Sequence, residues 1–174
     1  MITTNYKEHI TKYNDFPKVG VEFYDISSLL SKPEIFKEAI KEIAKQFREK
    51  GIDKIVGIES RGFLFAAPLA LELNVGLVML RKPNKLPGVC LQYPYLSEYS
   101  SSKLEIQENA LKPDEKVLII DDLLATGGTI LIAIDLVESL GAKVVSLGFL
   151  IEVEKFKSRE KLSNYSIFSL IKYE

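Results

Sequence analysis

The segment Lys116–Ile130, KVLIIDDLLATGGTI, decides the fold prediction. A run rich in Val, Leu and Ile ends in two adjacent carboxylates, Asp121 and Asp122. Small and hydroxylated residues follow, and an apolar pattern of helical period begins near Gly128. The order strand, polar turn, helix is the repeating unit of an α/β protein. We therefore expect a buried strand over Lys116–Ile120, with the acidic pair just beyond its carboxyl end.

The same alternation recurs on both sides of this segment. Further buried strands are predicted at Lys54–Ile58, Val75–Leu80 and Lys143–Ile151, with an edge strand near Ser166–Ile171. Helices are predicted after a capping box with Ser31 as N-cap and Glu34 as its partner, at Arg61–Leu73, and at Gly128–Leu140. Apolar strands alternating with helices indicate a mainly parallel sheet covered on both faces. The chain is thus predicted to be one α/β domain over residues 1–174.

Composition excludes several classes of function. The net charge is −1, so a nucleic-acid partner is not expected. MITTNYKEHI lacks the apolar core of a signal peptide, and no apolar run reaches the ~20 residues of a membrane span. His9 and Cys90 are the single residues of their types, which argues against a zinc site and a Ser-His-Asp triad. We expect a cytoplasmic protein without a membrane segment.

The acidic pair and the small-residue turn together suggest a sugar-phosphate site. Ligands of open parallel sheets bind beyond the carboxyl ends of the strands. There, Asp121 and Asp122 could accept hydrogen bonds from sugar hydroxyls or hold Mg²⁺. The turn Ala125–Thr129 opens a helix, whose amides and dipole favour a phosphate. The alternatives are an ordinary strand–turn–helix with glycines that only permit the turn, and a phospho-receiver domain, whose acidic pair follows the first strand.

These residues resemble the phosphoribosyl pyrophosphate (PRPP) motif of the type I phosphoribosyltransferases. Four further segments resemble the adenine phosphoribosyltransferases in particular: DFPKVGVEFYDISSLL (Asp15–Leu30), GIESRGFLFAAPLALEL (Gly57–Leu73), RKPNKLPG (Arg81–Gly88) and LEIQENALKP (Leu104–Pro113). The resemblance implies the type I fold, a small base-binding hood from about residues 1–30, and a mobile active-site loop over about 87–103. It also implies transfer of phosphoribose from PRPP to adenine, giving AMP and pyrophosphate with Mg²⁺, by a homodimer.

The resemblance assigns roles to individual residues. Asp121, Asp122 and the turn Ala125, Thr126, Gly127, Gly128 and Thr129 would bind the ribose phosphate, with Mg²⁺ held mainly by PRPP and in part by an aspartate through water. Ser60, Arg61, Arg81, Lys82 and Lys85 would bind pyrophosphate, and Val21, Phe23 and Tyr24 would bind adenine. Glu98 and Arg61 would act in catalysis, and Tyr99 would belong to the lid. The alternatives are a solvated cationic loop, a core role for Phe23, and a solvated carboxylate at Glu98.

This chain departs from the family pattern in several places. Tyr24 stands where many relatives have arginine, while Ser100 and Ser102 replace a glycine and an aspartate of the loop. Asn84 replaces another glycine, and we expect it to tolerate the left-handed conformation. Three competing functions stay open at this point: a transferase for another base, a PRPP sensor without catalysis, and a receiver-like signalling domain.

Overall fold

A computed structural model describes residues 4–92 and 103–174. In chain order its strands are β1 (Thr11–Tyr13), β2 (Phe23–Asp25), β3 (Lys54–Ile58), β4 (Gly76–Leu80), β5 (Cys90–Gln92), β6 (Glu105–Gln107), β7 (Lys116–Leu124), β8 (Lys143–Val153) and β9 (Ile167–Tyr173). Its α-helices are α1 (Ser27–Leu30), α2 (Pro33–Lys45), α3 (Gly62–Leu73), α4 (Gly128–Ser139) and α5 (Ser158–Lys161). Two short 3₁₀ turns, Tyr6–His9 and Glu154–Phe156, complete the described elements.

The central sheet has five strands in the order β4-β3-β7-β8-β9, and every neighbouring pair is parallel. This confirms the predicted α/β architecture. Consecutive residues of the inner strands point to opposite faces. Val117 and Ile119 pack with α4, while Leu118 and Ile120 pack with α2 and α3. The sheet is therefore buried on both sides, as its continuous apolar strands predict.

Two small antiparallel sheets lie outside the central one. Strands β1 and β2 pair in the predicted hood segment, and β5 pairs with β6. The hood strand β2 is fixed to the C-terminal strand β9 by the stacking of Tyr24 on Tyr173, whose ring centroids are 4.8 Å apart. Glu22 adds ion pairs to Lys12 at 3.2 Å and Lys155 at 2.5 Å. The first and last elements of the chain therefore support each other.

Most element ends lie within two residues of the prediction, but two local features differ from it for a physical reason. Strand β7 runs to Leu124, so Asp121 and Asp122 lie within the strand and not beyond its end. The extension is possible because Leu123 and Leu124 still pair with β8. The predicted capping box is wrong: Ser31 ends α1, and α2 begins at Pro33 after Lys32. Proline has a fixed φ and lacks the N–H, which suits it to the first helical position.

Close packing of α3 on the sheet depends on small residues. A Cβ at Gly57 would lie 2.7 Å from the Cβ of Ala66 and 3.2 Å from the ring of Phe63. Helix and strand therefore approach as closely as a glycine permits, and Ala66 already fills the contact. Pro68 lies inside the helix, which continues to Leu73. Within residues 4–92 and 103–174, no helix has the length and apolar character needed to span a membrane.

Candidate active site

A cavity of about 610 Å³ opens at the carboxyl ends of β3 and β7. Parallel sheets of this kind bind ligands at that edge. The cavity is rich in charge, since its wall contains Arg61, Lys82 and Lys103 together with Glu59, Asp121 and Asp122. The other lining residues are Ile58, Ser60, Pro83, Leu104 and Thr129. Cations and carboxylates in one wall suit a ligand that carries both phosphates and hydroxyls.

A second pocket of about 250 Å³ lies over the start of α4. It shares four residues with the first cavity: Arg61, Asp121, Asp122 and Thr129. The rest of its wall is the continuous segment Leu123–Ile130. Every residue predicted to bind ribose phosphate thus lines one or both of two adjoining spaces. A single ligand could extend from the acidic pair to the helix terminus.

The turn before α4 has the geometry of an anion cradle. Gly127 adopts φ +81°, a left-handed conformation that favours glycine, and helix α4 starts at Gly128. The first turn of a helix leaves N–H groups without intrahelical partners, and the helix dipole places positive charge there. A Cβ at Gly127 would also lie 3.3 Å from that of Ser158. Glycine at this position therefore serves the turn and its packing against α5.

The two aspartates lie in a strained electrostatic environment. Asp122 is only 5% exposed, and its backbone N–H donates to Oδ1 of Asp121 at 2.8 Å. Burial and the neighbouring Asp122 carboxylate raise the pKa of Asp121 well above its usual range. Burial also raises the pKa of Asp122, although Arg61 opposes that shift. Two adjacent carboxylates in a largely buried site are costly to ionise together.

Arg61 connects the acidic pair with the hood. Its Nε lies 2.9 Å from Oδ2 of Asp122, but the alignment does not make a hydrogen bond, and that oxygen has no hydrogen-bond donor among the described residues. Its Nη1 donates to the backbone carbonyl of Tyr24 at 3.3 Å. Its guanidinium lies over the ring of Phe23, 5.0 Å from the centroid. The predicted catalytic arginine therefore touches both the predicted ribose site and the predicted base site.

The cations after β4 divide into two groups. Lys82 lines the larger cavity, as predicted for a pyrophosphate ligand. Arg81 instead donates from Nη2 to Glu59 at 2.8 Å and from Nη1 to the carbonyl of Lys85 at 2.9 Å. Lys85 is exposed and is not part of the cavity wall. Asn84 has φ +64°, so the expected left-handed turn is present.

The hood residues also differ in what they present. Phe23 is half-buried, with the ring of Phe16 packed edge-on at 5.1 Å, and Arg61 above it. The side chain of Tyr24 is 3% exposed and belongs to the core, so only its backbone faces Arg61. Val21 is exposed, and its N–H and carbonyl are bonded within the hood turn to Lys18 and Phe16.

Some predictions fall outside the described residues, and some functional candidates were missed. Glu98, Tyr99 and most of the predicted loop lie in 93–102, outside the described ranges. The cavity adds Glu59 and Lys103, which the sequence did not single out. Glu59 immediately precedes Ser60, joined to it by a cis peptide bond. Its place at the end of a predicted strand was the signal that could have identified it.

The donor set is compatible with a modest protein contribution to Mg²⁺ binding. Among residues 4–92 and 103–174, no cluster of three or more acidic, His or Cys side chains could hold a metal. Asp121 and Asp122 nevertheless offer carboxylate oxygens, and Oδ2 of Asp122 is buried without a hydrogen-bond donor. Mg²⁺ commonly keeps several waters and binds one or two carboxylates together with substrate phosphates. The residues therefore fit a cation carried largely by a phosphorylated ligand.

Comparison with known proteins identifies the class of protein that this fold and site define. The family model described as "Phosphoribosyl transferase domain" matches residues 25–173, so the chain is a member of the phosphoribosyltransferases. The relative from Clostridium tetani, an adenine phosphoribosyltransferase, is 45% identical over 97% of this chain and 98% of its own. The chain thus belongs to the adenine phosphoribosyltransferase family.

Solved structures agree with this placement. The adenine phosphoribosyltransferase of Thermoanaerobacter pseudethanolicus has a TM-score of 0.91 and 46% identity, covering 96% of this chain and 97% of that one. The enzyme from Saccharomyces cerevisiae has a TM-score of 0.85 and 42% identity, with 94% and 95% covered. That structure is a complex with adenine and an imino-altritol bisphosphate. The type I phosphoribosyltransferase fold is therefore confirmed.

Proposed function

We propose that this protein transfers the 5-phosphoribosyl group of PRPP to adenine, giving AMP and pyrophosphate in purine salvage. The observation that carries the proposal is the pair of adjoining spaces that share Arg61, Asp121, Asp122 and Thr129. One space has the carboxylates and amides for a ribose phosphate, and the other has the cations for a pyrophosphate. The near full-length similarity to adenine phosphoribosyltransferases supports adenine as the base.

Binding of PRPP is expected to relieve the strain at the acidic pair. The ribose 2- and 3-hydroxyls donate to the carboxylates of Asp121 and Asp122, which supplies the missing donors. The 5-phosphate accepts from the amides at Gly128 and Thr129. Arg61 then exchanges part of its contact with Asp122 for the pyrophosphate. With these roles the anomeric carbon would lie next to Arg61.

The chemical step breaks the bond between the anomeric carbon and the pyrophosphate oxygen, and forms a bond from that carbon to N9 of adenine. Positive charge develops on the ribose and negative charge on the leaving pyrophosphate. Asp121 and Asp122 stabilise the first charge, and Arg61 and Lys82 stabilise the second. When bound, Mg²⁺ supplies further neutralisation of the pyrophosphate. The proton lost from N9 is assigned to Glu98 by family resemblance.

Adenine is expected to take the place over the Phe23 ring that the Arg61 guanidinium now occupies, because 5.0 Å between that group and the ring centroid leaves no room for a flat base. Phe23 offers a half-buried ring face for stacking, which is favourable for a flat heterocycle. Because the Tyr24 side chain is packed on Tyr173, the base must be read by backbone groups of the hood segment. The arginine that many relatives carry at this position is thus dispensable for that reading.

The decisive experiment is an assay of the purified protein with PRPP, Mg²⁺ and one base at a time. Adenine should give AMP and pyrophosphate in equal amounts, and hypoxanthine, guanine and orotate should give no nucleotide above background. Omission of Mg²⁺ with added chelator should abolish product. Turnover with another base in preference to adenine would contradict the specificity. PRPP binding without product from any base would indicate a sensor.

We further propose a homodimer, because α3 and β4 together expose four large apolar side chains. Leu71 is 85% exposed, and Leu64, Leu77 and Met79 are each at least 40% exposed. Leu77 and Met79 share the sheet face on which α3 packs, since Leu77 approaches Gly57 beneath that helix. A surface of this kind on a folded protein is typical of an interface. Sedimentation equilibrium should give twice the chain mass.

A further inference from the structure

Glu105 is a buried carboxylate that the proposed reaction does not use directly. It lies in β6, is 2% exposed, and holds the turn that carries the cavity's Lys82. Its Oε1 accepts hydrogen bonds from the backbone N–H groups of Lys85 and Leu86, each at 3.1 Å. Its Oε2 accepts from the side-chain amide of Gln92 at 3.1 Å. A charged group buried this deeply is normally fully paired, and here its partners are neutral amides.

The contacts outweigh the cost of burial. Burial alone would raise the pKa of Glu105, but the amides of Leu86, Lys85 and Asn84 and the side chain of Gln92 hold it below its usual range. The backbone of Glu105 also forms two hydrogen bonds with Arg81, at 2.7 and 3.0 Å. Side chain and backbone therefore grip both ends of the segment Arg81–Leu86.

A second carboxylate holds the same segment from the cavity side. Glu59 accepts from the backbone N–H of Lys82 and from Nη2 of Arg81, both at 2.8 Å. The amides on either side of Asn84 are thus bonded to two carboxylates, one in β6 and the other just after the end of β3. The segment has little freedom left, although its sequence of basic residues, Pro83 and Asn84 suggests a loose, solvated loop.

We propose that Glu105 is a positioning residue for pyrophosphate binding. It fixes the turn Lys82–Leu86, and so keeps Lys82 in the wall of the cavity that Arg61 and Thr129 also line. The inference rests on the proposed function for the identity of the ligand, a pyrophosphate group of PRPP or the free product. Glu105 does not touch the ligand; its effect passes through the Lys85 and Leu86 amides.

Two substitutions separate the effect of the length of the Glu105 side chain from the effect of its charge. Glu105→Asp keeps the charge but withdraws the carboxylate by ~1.5 Å, one C–C bond, so it cannot reach both amides. Glu105→Gln keeps an acceptor oxygen at the original distance and loses the charge. We expect Glu105→Asp to raise the KM for PRPP and the Kd for Mg-pyrophosphate about tenfold, as for one or two lost hydrogen bonds. Glu105→Gln should change them less than threefold, and KM for adenine should stay within twofold in both.

Glu115→Asp is the matched control. Glu115 also accepts a hydrogen bond from a backbone N–H, that of Lys112 at 2.8 Å, but it precedes β7 and so lies at the amino ends of the strands, away from the cavity. It should leave both constants unchanged.

The proposal would be overturned if Glu105→Asp and Glu105→Gln raised the KM for PRPP and the Kd for Mg-pyrophosphate equally. Equal changes in the KM for PRPP and the KM for adenine would also overturn it. So would lower thermal stability with both constants unchanged. If Glu105→Asp does not fold, Glu59→Asp takes its place, because it withdraws the other carboxylate from the Lys82 amide. An unchanged Kd for Mg-pyrophosphate in Glu59→Asp would overturn the proposal that the fixed turn positions Lys82. Calorimetry with pyrophosphate does not depend on the base. A failure of the adenine assay and a failure of this inference are therefore distinguishable.

Discussion

Two buried carboxylate sites lie on the neighbouring strands β7 and β8, and the pKa values of their carboxyl groups are shifted in opposite directions. On β7, Asp121 and Asp122 have raised pKa values, and Oδ2 of Asp122 finds no hydrogen-bond donor in the part of the chain that the structure describes. On β8, Glu152 is 2% exposed, and its carboxylate accepts hydrogen bonds from Nε and Nη2 of Arg159 at 2.6 and 2.8 Å. Burial would raise the pKa of Glu152, but the bonds from Arg159 lower it.

The difference separates a binding site from a structural one. Glu152 has the bidentate partner that a buried carboxylate needs, so it stabilises the fold without any ligand. The acidic pair leaves acceptor capacity unused next to a cavity, which costs stability until a ligand supplies donors. Carboxylates with perturbed pKa values that lie beside a cavity commonly mark a functional site.

The largest expected effect is the loss of activity in Asp122→Asn. The amide would keep the volume but remove a negative charge that accepts ribose hydroxyls and faces the developing positive charge. We expect kcat/KM for PRPP to fall about 100-fold, the equivalent of ~2.7 kcal/mol. Steady-state kinetics at varied PRPP measures it, and thermal unfolding should show an intact fold. Asp135→Asn, on the exposed face of α4, is the control; a kcat/KM for PRPP in Asp122→Asn equal to that of this control would remove Asp122 from the site.

The structural carboxylate should respond in stability and not in activity. Arg159→Met leaves Glu152 buried and without its charged partner. The free energy of unfolding should fall by about 2 kcal/mol, less than for a fully buried pair because the Arg159 side chain is 42% exposed. Urea denaturation measures the loss. The control is Arg48→Met, whose exposed pair with Glu72 should contribute less than ~0.5 kcal/mol. Equal losses in the two variants would mean that burial of Glu152 does not matter.

The sequence revealed the acidic pair but not the difference between the two sites. Local patterns predicted strand β3 with its observed limits, the start of α4, and the cradle from Ala125 to Thr129, because each depends on neighbouring residues. The partners of charged groups depend on contacts between distant segments. Arg81 was assigned to pyrophosphate, but it forms an ion pair with Glu59, which follows strand β3.

Tyr24 shows the same limit. It lies in a segment that the family uses for the base, so the sequence suggested a ligand contact. Its side chain is buried because Tyr173, at the other end of the chain, packs against it. No periodicity within the hood segment could predict that pairing, since the partner lies in a distant part of the sequence.

The smallest expected effect is the change in stability caused by Asp121→Asn. It tests whether the ionised form of Asp121 destabilises the folded protein. Because the folded-state pKa of Asp121 is raised, the folded protein holds a proton that the unfolded chain loses near pH 4. The stability of the ligand-free protein therefore declines as pH rises from that value through the folded pKa. Asparagine removes this dependence and relieves the repulsion on Asp122. Asp121→Asn should thus become more stable relative to the parent as pH increases, by on the order of 1 kcal/mol at pH 8. Urea titrations between pH 4 and 8 measure the difference.

Asp114→Asn should show the opposite trend, because Lys143 lowers the pKa of Asp114. A stability difference that stays flat with pH, or that shrinks as pH rises, would mean that Asp121 is as well accommodated as Glu152 and that the two sites do not differ.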